Sequence, residues 1–130
     1  MVGEHDPSEI QLIDFEYGGV NFVAFDVANH FNEFAGGPPD LPTPVYSNLP
    51  TISQQEAFCE AYLKERPLDL SVQTLLQHVQ VFLLINHLYW GLWAVNQASA
   101  EGTEEFDYMQ YAISRLRQYY IAKESYQKTE

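Results

Sequence analysis

A mainly helical fold with one short N-terminal strand is what three features of the 130-residue sequence predict. Beyond residue 22, apolar residues recur at three- and four-residue spacing, the period of an amphipathic helix. One apolar run, Ile10 to Ile13 broken only by Gln11, ends on acidic residues and glycines and has the length of a buried strand. From Val79 to Val95 the chain is nearly apolar, as in a helix at the centre of a bundle.

Met1 to Glu9 is polar. Ile10 to Glu16 is the strand, and Gly18-Gly19 supplies a turn after it. Phe22, Phe25, Val27, Phe31 and Phe34 mark a helix from about Val23 to Ala35, ended by Gly36-Gly37. On it, Asp26, Asn29, His30 and Glu33 fall at i, i+3, i+4 and i+7 and form one polar face. Five of the seven prolines then lie between residues 36 and 52, which predicts a long irregular loop. Ser53-Gln-Gln-Glu56 reads as a capping box opening a second helix to about Lys64, with Ala57, Phe58, Ala61 and Tyr62 facing inward. Pro67 blocks its continuation. A third helix runs from near Ser71 to about Gln97. Thr103 is a candidate N-cap for a fourth, from about Phe106 to Lys123.

One strand is not a fold, because its backbone groups need ladder partners and none is evident downstream. The chain therefore reads as the C-terminal part of something larger.

Composition narrows the partners. A formal net charge of −12 lacks the basic footprint that nucleic acid or an anionic membrane needs, and it favours cationic ligands. Cys59 is alone, so no internal disulfide forms, and its place on the inner side of its helix makes it a core residue. The first residues show no signal-peptide pattern. Gln80, Asn86 and His87 interrupt the apolar run of the third helix, which falls short of a membrane span of about 20 residues.

Asp14 and Glu16 are two carboxylates two residues apart at a strand end, a place where Mg2+ can be held. If the strand stays extended, both point the same way. Asp26 lies near a helix start, where a carboxylate suits the free N–H groups and the dipole. His30 and Glu33 have a spacing open to a transition metal, but no third ligand accompanies them. Trp90 and Trp93 share a face of the third helix, as core packing or as part of an aromatic cage for a cation. Arg115 and Arg117 read as a solvated face late in the last helix.

The stretch Asp14-Phe-Glu-Tyr-Gly-Gly-Val-Asn21, running on into Phe25-Asp-Val-Ala-Asn-His-Phe-Asn-Glu33, resembles the signature of the choline/ethanolamine kinase family. Every fixed position of that pattern is met between Ile13 and Glu33. The resemblance implies the C-terminal helical lobe of a protein-kinase-like, aminoglycoside-phosphotransferase-like fold. Residues 1–130 are then the C-terminal portion of a catalytic domain whose N-terminal lobe and catalytic loop are absent. No glycine-rich loop and no His-x-Asp followed by Asn at the kinase spacing occurs in this sequence, so the catalytic Asp is not in the chain, and the chain alone is expected to be inactive.

By the same resemblance, Asp14 stands where the metal-binding Asp of the D-F-G motif stands and ligates Mg2+ on the phosphates of the co-substrate ATP, helped by Glu16. Asp26 supports the catalytic loop. Glu33 receives the substrate ammonium, and Trp90, Trp93 and Tyr111 form a cation cage. His30 becomes a hydrogen-bonded packing residue. The implied activity transfers a phosphoryl group from ATP to ethanolamine, in a cytoplasmic enzyme of phosphatidylethanolamine synthesis that forms a homodimer when complete. Choline is the alternative substrate. Asn32-Glu-Phe-Ala-Gly36 resembles the ethanolamine branch, whereas choline kinases tend to carry Trp after the Glu and tyrosines beyond. A reading of another class is a non-catalytic helical interaction module derived from such a kinase.

Overall fold

Helix start signals in the sequence set most of the architecture. The computed structural model describes residues 10–37, 42–102 and 104–129. In chain order it has α1 (Val23–Glu33), a 3-10 turn (Tyr46–Asn48), α2 (Ile52–Glu65), α3 (Val72–Glu101) and α4 (Tyr108–Thr129). At 30 residues α3 is about 45 Å long. The other three helices pack against it. It is the axis of the molecule, as its nearly all-apolar middle predicts.

The strand expected over Ile10–Glu16 does not form. Ile10 makes a single bridge, and the chain from Gln11 onward is irregular. Asp14 adopts φ +61, and a turn follows that is closed by Gly18 N donating to Phe15 O at 2.8 Å. The run is exposed, with Ile10 at 77% and Leu12 at 73%, where burial had been expected. A strand holds only where a neighbour pairs along its length, and beyond the single bridge at Ile10 no strand ladder forms among the described residues. The inference that Asp14 and Glu16 share a strand face fails with it, since the alternation holds only in extended chain.

The start of α2 is one cap earlier than Ser53. Thr51 is the N-cap; its hydroxyl accepts from Gln54 N at 3.2 Å and its own N–H donates to Gln54 Oε1 at 2.8 Å. Such a cap contributes about 1 kcal/mol. The inward face also differs from the expected one. Gln55 and Cys59 are buried, with Tyr62 and Leu63 partly so, whereas Ala57 and Ala61 are exposed and Phe58 lies at the rim. α3 starts near Ser71 as expected, and Ser71 is its N-cap, its hydroxyl accepting from Thr74 N. Thr103 lies outside the described residues. Asp107 does similar work for α4, its carboxylate accepting from Gln110 N at 2.9 Å.

Ala24, Val27, Ala28 and Phe31 of α1 meet Cys59 of α2 and Leu75, Leu76 and Val79 of α3 in one core cluster. Burial of one such aliphatic or aromatic side chain is worth about 1.5–3 kcal/mol. A second cluster joins α3 and α4 through Ala94, Tyr111 and Ala112. Gly91 lies where these two helices cross. A Cβ there would come 3.0 Å from Leu116 Cδ2, so the glycine that weakens α3 locally by about 1 kcal/mol permits the close approach. One face of α3 stays open, with Val81, Ile85, Tyr89, Leu92 and Val95 exposed. The chain presents 9245 Å² to solvent, against about 7000 Å² for a compact monomer of its mass. No helix among the described residues is long and apolar enough to cross a membrane.

His87 is buried at 2% exposure beside Tyr46, whose ring meets it edge-on at 5.6 Å. Burial first, and the Arg115 charge second, lower its pKa to about 3. The unfolded chain titrates near 6.5 and therefore binds more protons than the folded one between those values. Stability from this group is complete above pH 6.5 and is lost as pH falls toward 3, at up to about 1.4 kcal/mol per unit. Urea unfolding at pH 7 and pH 5 is expected to show this loss, and His87→Phe is expected to reduce the difference.

Candidate functional site

Four residues from three helices line one cavity of about 190 Å³: Glu33 at the end of α1, Trp90 and Trp93 on α3, and Tyr111 on α4. Gly36 and Gly37 complete the lining. The turn after α1 depends on Gly36, at φ +78, which favours glycine. A Cβ on Gly37 would stand 2.9 Å from Tyr111 Cε2, so only glycine leaves that ring in place.

Helical spacing presents the two indoles to the same side, and their planes stand nearly perpendicular, at 79° with centroids 5.4 Å apart. Tyr108 meets Trp93 edge-on at 5.8 Å. Aromatic faces with one carboxylate at the rim suit a small organic cation: the rings attract it by their quadrupoles, and the carboxylate accepts its N–H bonds or neutralises its charge. Tyr111 is buried, and burial raises its phenol pKa, with Arg115 opposing and Glu33 adding to the rise; the ring stays a neutral phenol.

The turn that carries Asp14 and Glu16 is docked on the same helix. Trp93 Nε1 donates to Tyr17 Oη at 3.1 Å, and the Tyr17 ring packs edge-on against Trp90 at 5.7 Å. Both carboxylates are exposed. Asp14 takes positive φ in this turn, a conformation that Asp and Asn adopt more readily than other non-glycine residues. Asp26 is exposed in the first turn of α1 and does not cap it; Asn21 Oδ1 accepts from Phe22 N just before the helix. Beside Glu33 on the α1 surface, His30 stacks on Phe58 at 5.0 Å and meets Phe34 edge-on. It packs through ring contacts, and no side-chain hydrogen bond of His30 is seen among the described residues. Among the described residues no three His, Cys, Asp or Glu side chains converge as a metal cluster.

Arg115 corrects the expectation most sharply. It is 1% exposed, not part of a solvated face, whereas Arg117 is exposed as expected. Its Nη2 donates to Asn86 Oδ1 and to Asn86 O, and its Nη1 to Tyr111 Oη at 3.3 Å. Asn86 Oδ1 also accepts from Asn32 Nδ2 at 2.8 Å. Asn86 Nδ2 donates to Asn29 Oδ1 at 2.8 Å, and Trp90 Nε1 donates to the same oxygen at 2.7 Å. Asn29, half-buried, thus turns inward from the expected polar face of α1, beside the buried Asn32. The available signal was a polar residue inside an apolar stretch, which when buried must find partners. Asn86 is such a case, and had been read only as an interruption.

The family model for choline/ethanolamine kinase matches residues 1–120. A probable ethanolamine kinase of Nematostella vectensis is 37% identical over 97% of this chain, which covers 38% of that protein. Human ethanolamine kinase 1 is 40% identical over 88% of the chain and is covered to 26%. Probable choline kinase 2 of Arabidopsis thaliana is 36% identical over 92%, and is covered to 35%. The chain spans about a third of the length of these curated relatives. Matched along nearly its whole length to that family model, and carrying the motif from Ile13 to Glu33, the chain belongs to the choline/ethanolamine kinase family.

Proposed function

We propose that residues 1–130 form the C-terminal portion of the catalytic domain of an ATP-dependent ethanolamine kinase. The observation that carries this reading is the cavity bounded by Glu33, Trp90, Trp93 and Tyr111, whose shape and chemistry suit an aminoalcohol cation. In this reading Glu33 accepts N–H bonds from the ammonium group. The three aromatic rings enclose the carbon chain and leave the hydroxyl pointing toward the phosphoryl donor. Ethanolamine is favoured over choline because the wall beyond Glu33 is Gly36 and Gly37, with no aromatic face for a trimethylammonium, and a primary ammonium gains most from a hydrogen-bond acceptor.

Asp14 and Glu16 offer only hard carboxylate oxygens, a donor set that fits Mg2+, which binds through one or two carboxylates plus phosphate oxygens and water. When bound, the ion neutralises charge on the transferring phosphoryl group. Tyr17 ties the turn bearing these acids to the tryptophans, and so sets the distance between the phosphate end and the amine end of the site. Asp26, exposed at the start of α1, is assigned to hold the catalytic loop, which lies outside these residues. The apolar Ile10–Phe22 segment and the open face of α3 are assigned to contacts with the rest of the catalytic domain. The complete enzyme is assigned to the cytoplasm, as a homodimer supplying phosphoethanolamine for phosphatidylethanolamine.

The test is a coupled ATP-to-ADP assay with Mg2+ on residues 1–130 and on the longest upstream-extended form. Turnover confined to the extended form, with ethanolamine preferred, is the expected result. A preference for choline would overturn the choice of substrate. Absence of turnover in both, from folded protein, would overturn the kinase reading and favour a helical interaction module.

A further inference from the structure

We infer that Arg115 is a positioning residue for the amine cavity, acting with Asn86 and Asn29 through a hydrogen-bonded relay that joins two of its aromatic lining residues; this rests on the amine-binding reading above. The relay is continuous. Tyr111 Oη accepts from Arg115 Nη1, Arg115 Nη2 donates to Asn86 Oδ1, Asn86 Nδ2 donates to Asn29 Oδ1, and that oxygen accepts from Trp90 Nε1. It begins on one cavity-lining aromatic and ends on another, crossing α4, α3 and α1. Tyr111, Arg115 and Asn86 are buried.

The chemistry of the relay leaves each group one orientation. Trp90 Nε1 can only donate, so Asn29 must present its oxygen. Asn86 then has to turn its Nδ2 toward Asn29 and its oxygen toward the guanidinium. Arg115 can only donate, and it fits that oxygen and the Tyr111 phenol together. A lysine would carry the charge without the planar fork. The guanidinium carbon lies 5.8 Å from the centroid of the Tyr111 ring, over its face, so the ring is held by contact as well as by its hydroxyl.

Stability alone is a poor reason for this arrangement. Among the described residues the hydrogen-bond partners of Arg115 are an amide, a backbone carbonyl and a phenol, with no carboxylate, and its Nε finds none there. A buried charge so arranged is costly, and an apolar residue of similar volume often serves a core equally well. What an apolar residue cannot do is set the rotation of Tyr111 and, through Asn86 and Asn29, of Trp90. Cation recognition by aromatic faces depends on those rotations.

The test uses the upstream-extended enzyme and separates the KM for ethanolamine from that for ATP. Arg115→Met and Asn29→Ala are each expected to raise the amine KM at least tenfold, with the ATP KM within twofold of wild type. Arg115→Lys is expected to recover less than half of the loss. The only two tryptophans of the 130 residues line the cavity, so the ethanolamine-induced change in their fluorescence is expected to shrink in both variants. Asn29 is only half-buried and gives a second reading if Arg115→Met fails to fold. Equal changes in both KM values, or full recovery by lysine, would overturn the positioning role while leaving the amine site intact. Wild-type enzyme that neither turns over nor binds ethanolamine or choline would overturn the amine site itself, and the relay with it.

Discussion

Asp14→Ala in the upstream-extended enzyme is expected to lower kcat at least about a thousandfold, a loss of ~4 kcal/mol of transition-state stabilisation, with the fold retained. The side chain is exposed, so its removal leaves no cavity and strands no buried partner. Alanine is less at ease than aspartate at φ +61, and a local cost of about 1 kcal/mol is expected from that alone. Asp14→Asn separates the two effects. It tolerates the same backbone conformation and removes the charge that holds Mg2+. The measurement is steady-state turnover across a Mg2+ titration, with circular dichroism to check the fold. Near wild-type turnover in either variant would remove Asp14 from the metal site. Glu16→Ala is expected to be milder, because one carboxylate with phosphate oxygens and water can still fill the coordination shell.

Trp93→Ala is expected to raise the KM for the amine about ten- to thirtyfold while the ATP KM stays within twofold. A cation–π contact is worth about 0.5–2 kcal/mol, and the higher figure applies where the cation is desolvated. Trp93 has a second function, since its Nε1 holds Tyr17 and with it the turn bearing Asp14 and Glu16. Trp93→Phe distinguishes the two. It keeps an aromatic face and loses the donor, so it is expected to recover most of the amine KM but leave kcat reduced. Equal rises in both KM values for Trp93→Ala would mean that the indole serves packing alone.

The legible parts of this protein were those written in local chemistry. The start of α3 near Ser71 and its apolar middle follow from short-range rules, and the helices stand close to where those rules put them. The spacing of Trp90, Trp93, Glu33 and Tyr111 could be read as a cage only through the family pattern; the structure places all four around one cavity. The α2 cap was misplaced by two residues because Thr51 and Ser53 both begin a plausible box, and only backbone geometry chooses between them. Its inward stripe falls on Gln55, Cys59, Tyr62 and Leu63, a phase that packing against the core decides and the cap does not.

By itself the sequence determined four helices, their approximate ends, the family, and the residue types at the site, because helix periodicity, capping and a dense motif are all properties of near neighbours. The tertiary structure alone decided three matters. It buried Arg115 and joined it to Asn86, a partner 29 positions away. It drew Asn29 from the expected polar face of α1 into hydrogen bonds with Trp90 and Asn86. And it left Ile10 to Glu16 without a strand beyond the single bridge at Ile10. Each turns on contacts between distant segments: a polar side chain is read as surface until another helix brings it a partner, and an extended segment becomes a strand only where a neighbour accepts its hydrogen bonds.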